Sequence, residues 1–115
     1  MSEWTRVCAL EDLTPDRGVA AIIGGHQVAL FRLDGDDEVY AISHRDPYSG
    51  ANVMARGLVG TRGGVPTVAS PMHKQIFSLR TGESMDDPAV RLDIWQARVV
   101  DGMVELSMAP AAVRA

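Results

Sequence analysis

Cys8 is the only cysteine in 115 residues, which excludes an intramolecular disulfide and any site built on several thiolates. Aromatics make up 5% of the chain, so the core falls to Val, Ile, Leu and Ala. No apolar run approaches the ~20 residues that a membrane-spanning helix needs. Neither sign of charge dominates. The net charge is −4, with no basic stripe of the kind that binds nucleic acid. The opening Met1-Ser2-Glu3-Trp4 has neither a cationic segment nor an apolar one behind it. With a lone unpaired cysteine, this points to a reducing, cytoplasmic setting. There is also no internal repeat, no low-complexity tract and no long amphipathic helix.

What is present is a succession of short apolar runs punctuated by glycine. Strands are expected over 4–8, 19–23, 26–33, 38–42, 58–62, 65–69, 75–79, 91–100 and 103–106. Trp4, Arg6 and Cys8 should face one way on the first of these, with Thr5 and Val7 facing the other. Gly24-Gly25 and Gly63-Gly64 read as tight turns, and Asp101-Gly102 is the strongest hairpin signal. Residues 9–13 suit a turn or a single helical turn. Many short strands at close spacing predict one all-β sandwich or barrel spanning 1–115. Its core should cover about 4–106, with a frayed tail over 107–115.

Two loops carry the chemistry. The first is Ser43-His44-Arg45-Asp46-Pro47-Tyr48-Ser49-Gly50-Ala51. The second is Ser70-Pro71-Met72-His73-Lys74-Gln75. Together they resemble the two ligand loops of a Rieske domain, which reads Cys-x-His in one loop and Cys-x-x-His in the other. Asp46 and Ser70 stand in the cysteine places, Tyr48 in a histidine place, and of the four positions only His73 is retained. Arg56-Gly57-Leu58-Val59-Gly60, Asp86-Asp87-Pro88 and Asp101-Gly102 extend the likeness over about Trp4 to Leu106. Within the Rieske superfamily the chain resembles the small subunits of assimilatory NAD(P)H-dependent nitrite reductases.

That resemblance implies a Rieske-type antiparallel β-sandwich or barrel with the two loops meeting at one tip. It implies no cofactor in this chain and a large-subunit partner carrying FAD, sirohaem and a [4Fe–4S] cluster. Together the two would reduce nitrite to ammonium in nitrate assimilation, and the chain alone would have no activity. Arg45, Tyr48, His73 and Lys74 are the candidate partner contacts, with Arg56 adding positive charge.

Read by themselves, the tip residues suit structural roles. Iron–sulfur clusters require thiolates on at least one iron, so His73 alone cannot hold one. Asp46 is expected to accept hydrogen bonds from loop amides. Tyr48 should fill vacated space with its hydroxyl on a polar partner. The alternative reading is an independent metal-binding or redox module, with His44, Asp46 and His73 forming a two-histidine, one-carboxylate iron site. Ser70 with His73 as its base would be a hydrolase pair, but no Gly-x-Ser-x-Gly elbow surrounds it. Cys8 suits a small apolar role. Trp95 reads either as core or as an exposed interface anchor.

Overall fold

A computed structural model describes residues 4–34, 38–72 and 74–110, with side chains through Ser107. Nine strands form in order: β1 (Trp4–Ala9), β2 (Gly18–Ile23), β3 (His26–Arg32), β4 (Val39–Ser43), β5 (Leu58–Arg62), β6 (Val65–Ala69), β7 (Ile76–Ser78), β8 (Ile94–Val100) and β9 (Met103–Pro110). Two 3₁₀ turns, Leu10–Asp12 and Met54–Arg56, are the only helical pieces among the described residues. No helix there is long and apolar enough to cross a membrane.

All strand pairings are antiparallel. One sheet has six strands in the order β1-β9-β8-β4-β3-β2, and the other has three in the order β5-β6-β7. The all-β architecture expected from the glycine punctuation is therefore observed. Gly24 and Gly25 have φ of 57° and 81°, and Asp101 and Gly102 have φ of 53° and 76°. Left-handed pairs of this kind match the twist of two-residue hairpins.

The central strands are buried on both faces, which explains their nearly unbroken apolar sequences. Val28 and Leu30 of β3 pack with Ala41, Trp95, Val104 and Leu106 in one cluster. Ala29 and Phe31 point the other way, to Ile42, Val68, Phe77 and Leu92, which fill the space against the small sheet. Burying each phenylalanine contributes about 2–3 kcal/mol. Arg32 Nη1 donates to the carbonyls of Leu10 (3.2 Å) and Leu13 (3.1 Å), pinning the first 3₁₀ turn across the end of β3.

Three details differ from the sequence reading. A bulge between Arg6 and Cys8 shifts the β1 register, so Cys8 packs against the same cluster as Val7 rather than facing with Trp4 and Arg6. The strand expected over 91–100 begins at Ile94; Leu92 before it is core, and Trp95 is buried on the opposite face. The return strand runs to Pro110, past the expected end at Leu106, because β1 and β8 flank it on both sides and Ser107 pairs with Trp4.

Candidate functional site at the loop tip

β4 delivers the first loop. His44 N–H donates to the Gln27 carbonyl (3.1 Å), and Met54 N–H returns to the His44 carbonyl (3.0 Å). Met54 is fully buried and anchors the loop's far end. Between these points Asp46 N–H donates to Ala51 O (2.8 Å) and Gly50 N–H to Asp46 O (2.7 Å). Gly50 takes φ of 76° to close this turn. β6 and β7 bracket the second loop, where Ser70 N–H donates to Gln75 O and Lys74 N–H to Ser70 O, both at 2.9 Å.

The two loops meet through side chains. Ser70 Oγ donates to Asp46 Oδ2 at 2.5 Å, with both residues buried. Ser70 Oγ also accepts from Met72 N–H (3.2 Å), and Asp46 Oδ1 accepts from Tyr48 N–H (2.9 Å). Burial alone would raise the Asp46 carboxyl pKa. The bonds from the Ser70 hydroxyl, the Tyr48 amide and Ser49 outweigh it and hold the carboxyl below its ordinary value.

Tyr48 lays its ring against Phe77, with centroids 5.9 Å apart, and its hydroxyl donates to Ser84 Oγ at 3.1 Å. The amides of Asp86 and Asp87 reach the same oxygen, each at 3.3 Å. Ser84 is thus a tip residue that sequence reasoning missed. Only its position two residues before Asp86-Asp87 hinted at a hydroxyl-capped turn.

His44 is buried and turned to another task. Its Nδ1 accepts from Ala55 N–H (3.1 Å), and burial together with the nearby Arg56 guanidinium lowers its pKa. Arg45 and Lys74 are exposed, one on each loop. Asp46 is the only carboxylate within 45–51 and 70–75, and it is buried. The described charges that face outward from the two loops are therefore positive, in a chain whose net charge is −4. His73 lies outside the described residues.

A family model for the Rieske-like [2Fe-2S] domain matches residues 3–107. The nitrite reductase (NADH) small subunit of Salmonella typhimurium is 44% identical over 106 residues, covering 92% of this chain and 98% of that one. The chain belongs to the Rieske-like family, among the nitrite reductase small subunits. A crystal structure of a Mycobacterium tuberculosis protein assigned as an NADH-dependent nitrite reductase small subunit superposes with a TM-score of 0.90 at 46% identity, covering 95% of this chain and 97% of that one. A nitrite reductase [NAD(P)H] large subunit from Klebsiella oxytoca contains a segment 40% identical over 101 residues, which covers 88% of this chain and 10% of that protein.

This family member does not offer the donors that the family model's name implies. A [2Fe–2S] pair takes two thiolates on one iron. Of the residues that the sequence resemblance sets in the ligand places, Asp46 and Ser70 are a carboxylate and an alcohol bonded to each other, and Tyr48 is a phenol bonded to Ser84. The single cysteine lies on β1, against the core of the six-stranded sheet. The donor set does not fit a [2Fe–2S] centre. Of the iron-site alternative, His44 Nδ1 and both Asp46 oxygens already accept protein hydrogen bonds.

Proposed function

We propose that this chain is the non-catalytic small subunit of an NAD(P)H-dependent nitrite reductase and that it docks through its tip on the large subunit. The chain holds no cluster. FAD, sirohaem and a [4Fe–4S] cluster belong to the large subunit, which reduces nitrite to ammonium in cytoplasmic nitrate assimilation. The chemistry is that of those cofactors; this chain supplies binding and orientation.

The observation that supports the reading is the Ser70–Asp46 hydrogen bond, an intrachain contact between the two residues that the resemblance sets in thiolate places. It turns the cluster-bearing end of a Rieske frame into a closed surface. Around it stand the exposed Arg45 and Lys74 and the partly exposed Tyr48 and Met72, an apolar centre flanked by cations. Such a surface suits a partner face with apolar contacts and carboxylates at its rim. The Klebsiella large subunit supports the same pairing, because a segment similar to this chain is covalently part of it.

The test is a double charge reversal, Arg45→Glu with Lys74→Glu. The variant should keep the wild-type fold, bind the purified large subunit more weakly, and support less NAD(P)H-dependent nitrite reduction at limiting subunit concentration. Unchanged affinity would remove the tip as the docking face.

A further inference from the structure

Leu58 is the most exposed of the large apolar residues described, at 76%. It opens β5, and its register partner is Ala69, which in turn pairs with Ile76. Alternation fixes the face of this row. Val59, Val68 and Phe77 point into the core between the sheets, so Leu58, Ala69 and Ile76 lie side by side on the outer face of the small sheet. No charged residue interrupts the row.

The row adjoins the tip. Ala69 is followed directly by Ser70, and the loop that starts there exposes Met72 by 50%. At the β7 end, Met85 N–H donates to the Ile76 carbonyl (2.7 Å). There the same face opens into a mainly apolar groove of about 350 Å³, lined by Val65, Ser84, Met85 and Pro88 and also by the charged Arg80 and Glu83. Ser84 is the residue that holds the Tyr48 hydroxyl, so the groove and the tip share a wall. Leu58 projects at the tip end of this face and Met72 from the adjoining loop, while the groove lies farther along the face at Val65 and Ser78. Large apolar side chains exposed on one face next to the tip suit an interaction site.

We infer that the docking surface continues from the tip across the outer face of the small sheet, with Leu58 as its apolar anchor, and that its occupant is an apolar patch of the large subunit. This rests on the docking reading above. The large subunit is favoured over a second copy by continuity with the cationic tip and by the Klebsiella protein, in which the similar segment and the large subunit are one polypeptide.

The experiment is calorimetric titration of the purified large subunit with the wild-type chain, Leu58→Asp, Leu58→Ser, and the Arg45→Glu/Lys74→Glu variant. Leu58→Asp should weaken binding by about tenfold or more, and Leu58→Ser by less. Both should melt within about 3 °C of the wild type, since surface substitutions rarely change stability much. Folded Leu58 variants that bind like the wild type would overturn the inference. If the charge-reversed variant were then weakened, only the extension onto the sheet would fail; if it too bound normally, the docking reading would fail as well. A wild-type chain that is dimeric in solution and becomes monomeric on Leu58→Asp would assign the face to a second copy and also overturn the inference.

Discussion

Ser70 Oγ donates to Asp46 Oδ2 at 2.5 Å, joining two loops whose residues are 24 positions apart. The bond joins the two residues that the sequence resemblance sets in thiolate places, and both are buried. Asp46→Ala would strand the Ser70 hydroxyl and the Tyr48 amide, at a cost of about 2–3 kcal/mol. Asp46→Asn keeps one acceptor and should cost less. Urea denaturation of the two variants gives the comparison. An Asp46→Ala variant as stable as the wild type would mean that the bond does not hold the tip together.

Acid should loosen the domain in two stages. The His44 pKa is lowered in the fold by burial and by Arg56, and its Nδ1 is needed as an acceptor for Ala55. The unfolded chain therefore takes up that proton first, and stability falls as pH drops below about 6.5. The Asp46 carboxyl is lowered by Ser70, Tyr48 and Ser49 despite its burial. Its contribution is complete above about pH 4 and disappears as pH falls through the lower folded value. Melting temperatures from pH 8 to pH 3 should decline in both ranges. His44→Gln should flatten the upper stage and Asp46→Asn the lower one. A variant retaining its full wild-type slope would clear that residue of the role.

Lys74 has φ of 62°, a left-handed conformation that costs a non-glycine residue about 1 kcal/mol. The turn between Ser70 and Gln75 imposes it. Lys74→Gly removes this strain and adds flexibility to the unfolded chain, and the two effects nearly cancel. The melting temperature should stay level or rise while affinity for the large subunit drops. A variant that lost stability and kept affinity would show that the side chain serves the loop rather than the partner.

Ligand restoration tests whether the positions are aligned as described. Asp46→Cys, Tyr48→His and Ser70→Cys together recreate Cys-x-His and Cys-x-x-His with His73. Anaerobic reconstitution with iron and sulfide should give this variant equal amounts of both and a visible absorbance, while the wild type gains neither. A folded triple variant that stays colourless would contradict the alignment of the two loops.

The hairpins were legible because their turns are written in two adjacent residues, as at Gly24-Gly25 and Asp101-Gly102. The loop resemblance likewise rests on local spacing. The link between Asp46 and Ser70 could not be read, because neither residue's neighbours specify the other. Ser84 was hidden for the same reason: its contact with Tyr48 spans 36 residues. Trp95 could be core or surface by alternation alone, and its packing with Val28, Leu30 and Leu106, which are distant in sequence, decides it. Local pattern also gave no warning of the bulge that turns Cys8 to the face of Val7. Leu58 looked like an ordinary strand residue until its register placed it on the outer face beside the tip.

Iron and acid-labile sulfide content of the purified wild-type chain, read with its absorption spectrum, decides whether the tip carries a cluster. A tip without a cluster gives a colourless protein with neither. Iron and sulfide in equal amounts would contradict it and require a cluster held without cysteine in either loop. About one iron per chain without sulfide would also contradict it, and would return attention to His44, Asp46 and His73.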